Sequence, residues 1–191
     1  MASVGDDPSP IPMKIVVAGG VGVGKTTMVR ALSEIPPLLT ESALTAASTE
    51  VDDISPVPDK QTTTVALDFG RITVDESLIL YLFGTPGQNR FWFVWDELTR
   101  GSVGAVVLVD LRRIGDCFPA VDYFEDRRLP FVVAVNGFPG THRYPPEAVR
   151  SALSIGPDVP VVKMDAREAG SCLEAMICLV EHALQRSALV S

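Results

Sequence analysis

No apolar run in this chain is long enough to cross a bilayer. The longest, residues 105–109 with their flanks, falls far short of the ~20 residues a spanning helix needs, so direct membrane insertion is excluded. Basic charge is scarce as well. Against 24 Asp and Glu stand 16 Lys and Arg, for a net charge of −8, so no basic patch rises above the background and a nucleic-acid partner is not expected. The three cysteines, Cys117, Cys172 and Cys178, form no metal-ligand spacing, and their odd number fits a reducing compartment; small buried side chains are expected for all three. Residues 1–12 lack a basic start and an apolar stretch but hold three prolines, which reads as a disordered arm rather than a signal peptide. A C-terminal cysteine box is missing too, since the chain ends Ser187-Ala188-Leu189-Val190-Ser191. The expected location is therefore cytoplasmic, or peripheral to a membrane through partners. Repeats and domain-sized linkers are absent, and 191 residues at 47% apolar content suit one globular domain over 13–186, followed by a tail over 187–191.

What is present is concentrated near the N-terminus. Gly19-Gly20-Val21-Gly22-Val23-Gly24-Lys25-Thr26 matches G-x-x-x-x-G-K-[ST], a loop whose backbone N–H groups cradle nucleotide phosphates. It follows Lys14-Ile15-Val16-Val17-Ala18, an apolar run suited to a buried parallel strand, and Thr27 opens a helical stretch over 27–32. Glycines let N–H groups turn inward, and the helix N-terminus adds partial positive charge. Lys25 is expected on the β- and γ-phosphates and the Thr26 hydroxyl on Mg²⁺.

Beyond the first helix, residues 34–60 read as irregular, with Pro36, Pro37, Pro56, Pro58 and acidic Glu50, Asp52 and Asp53. Residues 64–74 and 77–83 form an antiparallel strand pair joined at Asp75-Glu76. Further strands are expected at 103–109, 131–135 and 159–163, and helices within 88–100 and at 118–127, 146–153 and 171–185. On the last helix Leu173, Met176, Ile177, Val180 and Leu184 follow the spacing of a core-facing stripe. The alternation predicts an α/β fold of the P-loop NTPase kind: about six strands, mostly parallel, one antiparallel edge strand, and helices on both faces. Ligands in such sheets sit at the carboxyl ends of the strands, so the loops after Ala18, Phe83, Val109, Val135 and Met164 should converge on the nucleotide.

With those loops in view, the chain resembles the Ras-like small GTPases. The first loop, Thr62-Thr63-Thr64, Gly84-Thr85-Pro86-Gly87-Gln88, Asn136 and Asp165-Ala166-Arg167 occur in that family's order over about residues 13–186. Residues 62–72, 83–88 and 90–97 look more closely like the GTPases of actinobacterial conservons, which are related to a bacterial gliding-motility group. The resemblance implies GTP and GDP as ligands, a roadblock-type regulator as partner, and a sensor-kinase-like membrane protein nearby. It implies that Thr64 ligates Mg²⁺ and senses the γ-phosphate, that the Gly87 N–H also senses the γ-phosphate, and that Gln88 orients the attacking water. Thr62 and Thr63 stand as register alternatives to Thr64. Asn136 should brace the phosphate loop and contact the base, and Ala166 should offer its N–H to the base carbonyl. Phe91, Trp92, Phe93 and Trp95 are too many rings for one helix face, so one or two are expected as a partner surface.

Three residues depart from the family pattern. Pro139 stands where an aspartate reads guanine, and proline cannot accept those two hydrogen bonds. Gly84 replaces the aspartate that lies behind the magnesium ion, and Asp68 on the adjacent strand is the candidate substitute, as the gliding-motility relatives suggest. Val21 crowds a phosphate-loop position where Ras-type chains carry glycine, which predicts slow hydrolysis without a partner. The reading is a GTP-hydrolysing switch. A pseudo-GTPase interaction module with little hydrolysis is the alternative. A P-loop nucleotide kinase is weaker, since no Arg-rich lid is evident. His142 and His182 are read as surface or core filler.

Overall fold

The computed structural model describes residues 9–36, 38–44, 63–87, 92–142 and 144–190. The centre of its sheet is made of strands buried on both faces. In β1 (Ile11–Gly19), residues Ile15, Val16, Val17, Ala18 and Gly19 are buried without a break, the signature of a parallel strand covered on both sides. After α1 (Lys25–Leu32) come β2 (Leu38–Leu44), β3 (Thr63–Asp75) and β4 (Leu78–Gly84). The chain continues through α2 (Trp92–Thr99), β5 (Ser102–Val109), a 3₁₀ segment (Leu111–Cys117) and α3 (Phe118–Asp126), then β6 (Phe131–Asn136), α4 (Pro146–Leu153), β7 (Val161–Met164) and α5 (Ala169–Val190). The strand order is β2-β3-β4-β1-β5-β6-β7. β4, β1, β5, β6 and β7 pair in parallel, while β3 runs antiparallel to both of its neighbours.

The expected class, a mostly parallel sheet with one antiparallel strand and helices on both faces, is the class observed. All six expected strands are present, and a seventh, β2, lies in a segment read as irregular. Residues 63–69 of β3 pair with β2 and residues 68–75 with β4, so the long third strand has a free flank along which Leu38–Leu44 zips. That makes β3 the second strand rather than the edge. Prolines 36 and 37 masked the signal, and an edge strand needs little apolar content of its own.

Alternation along each strand divides the core in two. Val16, Ala18, Ala105, Val107 and Val109 face one way, packing with Trp95, Phe124, Phe131 and Leu153. Ile15, Val17, Val106 and Leu108 face the other, packing with Met28, Val29, Met176 and Leu179. The stripe expected on α5 is out of phase with the one observed. Met176 is buried, but Leu173, Ile177 and Leu184 are exposed, and the sheet-facing side is Cys172, Ala175, Met176, Leu179 and Ala183. Two stripes on this helix satisfy the three-and-four spacing. The one with small residues lies against the sheet because it lets the helix approach closely.

At the ends, Ile11 and Pro12 pair with Leu78 and Ile79 instead of belonging to an arm, and α5 carries on through the expected tail. Cys117 and Cys172 are buried and Cys178 is half-buried, all as free thiols. No helix among the described residues is long and apolar enough to cross a membrane.

Candidate functional site

The phosphate loop leaves β1 from the middle of the sheet and enters α1 at Gly24. That residue is the helix N-cap with φ 110°, and a Cβ there would lie 2.7 Å from the Asn136 amide nitrogen, so both conformation and space require glycine. No side chain caps α1 and its first turn holds no acid. Its leading N–H groups therefore suit an external anion. Lys25 is buried, and its Nζ donates to the carbonyls of Gly19 (2.9 Å) and Gly20 (2.6 Å). Burial pushes its pKa down to about 8, with nearby Asp68 opposing the shift. An ammonium in this position is held by its own loop and available to phosphate oxygens.

Thr26 and Asp68 come together: Thr26 Oγ1 donates to Asp68 Oδ2 at 2.6 Å. Asp68 reaches across from β3, where it pairs with Gly84 of β4. A hydroxyl and a carboxylate are hard oxygen donors of the kind Mg²⁺ takes when phosphates supply the rest of its coordination. Beside them Thr85 is 2% exposed, and its Oγ1 is buried without a hydrogen-bond partner. This donor set fits a hydrated divalent cation. Gly87 closes the same wall: a Cβ on it would lie 2.9 Å from Lys25 Nζ and 3.0 Å from Val21 Cα.

Asn136, at the end of β6, ties three loops together. Its amide nitrogen donates to Val23 O at 2.9 Å, and its Oδ1 accepts from the Ala166 N–H at 2.9 Å. The brace on the phosphate loop is the one expected. The Ala166 N–H, expected to face a base, is here engaged by Asn136. A cavity of about 570 Å³ lies among the loops after β6 and β7, lined in part by Asn136, Phe138, Pro139, Tyr144, Asp165 and Arg167. Asp165 is paired at both carboxylate oxygens with Arg167, which draws its pKa down to about 2. It is thus not a free stand-in for the carboxylate that Pro139 lacks.

Two arginines were missed by sequence reasoning. Arg112 pairs with the buried Asp110 at 2.7 Å and stacks over Phe138 at 4.0 Å. Arg113 donates from Nη2 to Val21 O at 2.7 Å. Only their place, directly after a strand whose carboxyl end faces the site, could have flagged them. Of the remaining expected residues, Gln88 and Thr62 lie outside the described residues, and Thr64 is described by its backbone alone, paired with Ala43. Trp95 belongs to the core, edge-on to Tyr123 at 5.2 Å, while the side chains of Phe91, Trp92 and Phe93 lie outside the described residues. His182 is buried, as core filler.

A glycine-rich loop between the central strand and an uncapped helix, in a mostly parallel sheet, defines a protein of the P-loop NTPase fold. The chain belongs to the family described as "conserved hypothetical ATP binding protein", which matches residues 17–186. An uncharacterised protein of Methanocaldococcus jannaschii is 29% identical over 126 residues, spanning 65% of this chain and 69% of the relative. The human Ras-related protein Rab-7b is 22% identical over 188 residues, 92% of this chain and 84% of that one. Among solved structures, the G domain of the T. maritima FeoB iron transporter superposes with a TM-score of 0.63 at 17% identity, covering 91% of this chain and 99% of that chain. The FeoB G-domain of Methanococcus jannaschii gives 0.60 at 13% identity, covering 90% and 97%. Such low identities speak for the fold alone.

Proposed function

We propose that the protein is a small switch that binds GTP and GDP with Mg²⁺, hydrolyses GTP slowly by itself, and acts in bacterial signalling through a roadblock-type regulator, with a sensor-kinase-like membrane protein upstream. The observation that carries this reading is the Thr26–Asp68 pair beside Lys25, at the mouth of a phosphate loop whose helix has no cap of its own. Thr26, Asp68 and Thr64 are the residues assigned to the ion, which when bound would neutralise phosphate charge. Lys25 and the α1 N–H groups hold and orient phosphates. Gly87 and Thr64 are assigned to sensing the terminal phosphate and Gln88 to orienting water. The cavity beside Asn136 is assigned to the base, with Phe138, Pro139 and Tyr144 as its apolar walls. The conservon and gliding-motility resemblance supports the signalling role and the partners.

A second reading, a nucleotide-binding interaction module with little hydrolysis, is favoured by the groups around the cavity beside Asn136. Pro139 offers no carboxylate, Asp165 is committed to Arg167, and the Ala166 N–H is committed to Asn136. The family's description also names ATP rather than GTP. A thermal-shift panel of GDP, GTP, ADP and ATP, with and without Mg²⁺, followed by single-turnover hydrolysis, separates the readings. Stabilisation by guanine nucleotides that grows with Mg²⁺, together with measurable turnover, supports the switch. Mg²⁺-independent or absent shifts count against it.

A further inference from the structure

The first turn after β5 sends two consecutive arginines in different directions. Asp110 caps the 3₁₀ segment by accepting from the Arg112 N–H at 2.9 Å, and it also pairs with the Arg112 guanidinium, which lies over Phe138. At Arg113 the backbone leaves the helical range (φ −141°, ψ 51°), and its side chain turns to the phosphate loop instead. There Nη2 donates to Val21 O at 2.7 Å and Nη1 lies 3.5 Å from Asp116 Oδ2. The platform is seated tightly: a Cβ on Gly20 would lie 2.6 Å from Asp116 Cβ, so loop and 3₁₀ segment touch without room for a side chain.

Residue 21 therefore borders two cationic groups. On one side is Gly87, where a Cβ would meet both Lys25 Nζ (2.9 Å) and Val21 Cα (3.0 Å); on the other, Arg113 donates to the Val21 carbonyl. Its contacts with Val21 O and Asp116 leave donors of the five-donor guanidinium fork over, and the side chain is half-exposed. A guanidinium held by a neutral carbonyl and a half-exposed carboxylate at 3.5 Å keeps donors for a bidentate pair with a phosphate when one comes within reach.

We propose that Arg113 is the arginine this chain supplies in cis to the terminal phosphate of a bound nucleoside triphosphate, parked on Val21 O until that phosphate arrives. The inference rests on the nucleotide-binding reading above. It gives Val21 a second sense, since a side chain that obstructs an arginine arriving from outside costs nothing where one is already built in. On this reading an activating partner need not donate an arginine.

The test uses the full chain without any partner. Affinities for a nucleoside diphosphate and for its non-hydrolysable imido-triphosphate analogue, and retention of diphosphate with Mg²⁺ and fluoroaluminate, are measured for the native protein, Arg113→Ala, Arg113→Lys and Asp116→Ala. Guanosine and adenosine series are both used. The native protein is expected to trap fluoroaluminate alone. Arg113→Ala should lose trapping and weaken the triphosphate analogue roughly tenfold while diphosphate affinity stays within about twofold. Arg113→Lys should fall between, and Asp116→Ala, which frees the guanidinium, should trap as well as the native protein. The inference is overturned if the native protein binds diphosphate but does not trap, if Arg113→Ala traps equally well, or if it weakens both nucleotides alike as a mere loop brace would. Failure of the native protein to bind any of the nucleotides overturns the nucleotide reading and this inference with it.

Discussion

Asp68 and Gly84 face each other across the β3–β4 ladder, and the Asp68 carboxylate fills the space a side chain on residue 84 would enter. A Cβ there would lie 2.9 Å from Asp68 Cβ and 3.0 Å from Asp68 Oδ2. The carboxylate that meets Thr26 comes from β3, and glycine at residue 84 leaves it the room to do so. Two carboxylates cannot occupy this space together. Gly84→Asp is therefore expected to destabilise the fold by roughly 1–3 kcal/mol through overpacking and like-charge contact. Adding Asp68→Ala should recover stability and the Mg²⁺ dependence of nucleotide binding. Urea unfolding and Mg²⁺ titrations check this; strictly additive effects would sink it.

Asn136→Ala removes the bond to Val23 O and the acceptor for the Ala166 N–H, at a site where Asn136 is only 4% exposed. Leaving buried groups unpaired costs about 1–3 kcal/mol each, so for these two a loss of roughly 2–6 kcal/mol is expected. Chemical denaturation measures the loss. Phosphate affinity should fall with it, because the loop loses its brace.

Lys25 has a folded-state pKa near 8 against an ordinary value of 10.5. Between those values the unfolded chain holds the proton and the folded one does not, so stability of the nucleotide-free protein should rise with pH across that window. Lys25→Met should lack that component. Phosphates beside Lys25 favour the charged form, so binding takes up a proton above pH 8. Nucleotide affinity should then decline by up to about tenfold per pH unit as pH rises further. Calorimetry in buffers of different ionisation enthalpy reads that proton directly, and a pH-independent affinity would refute it.

Pro139 lines the cavity assigned to the base and offers no acceptor side chain. Pro139→Asp should increase the preference for GDP over ADP by roughly 10- to 100-fold, the worth of hydrogen bonds to a charged group. Competition binding with both diphosphates gives the ratio. An unchanged ratio would mean the base lies elsewhere.

Val21 is 54% exposed, and its Cγ2 lies 3.1 Å from a Cβ built on Gly87. Clearing that wall with Val21→Gly should speed single-turnover hydrolysis by easing approach of the segment carrying Gln88. An equal or lower rate would leave the crowding argument without support.

Local chemistry was readable because it is written in neighbouring residues. The loop from Gly19 to Thr26 needs a strand before it and a helix after it, and the apolar run at 14–18 and the helical stretch from Thr27 announce both. Strands β5 and β6 were as plain, since burial on both faces leaves an unbroken apolar run. Edge strand β2 was not, because an element paired on one side can be polar, short and close to prolines. The α5 stripe was misplaced for a related reason: periodicity identifies apolar faces, but small side chains select the one that meets the sheet.

The sequence by itself determined the class of fold, the phosphate loop, and the absence of a guanine-reading carboxylate at residue 139, because each depends on residue type at fixed spacing. Only the tertiary structure brought the Asp68 candidate onto Thr26, gave the Ala166 N–H to Asn136, and showed that Arg113 reaches a loop 92 residues earlier in the chain. Those relations depend on strand register and on close approach between segments far apart in sequence, and no local pattern encodes either.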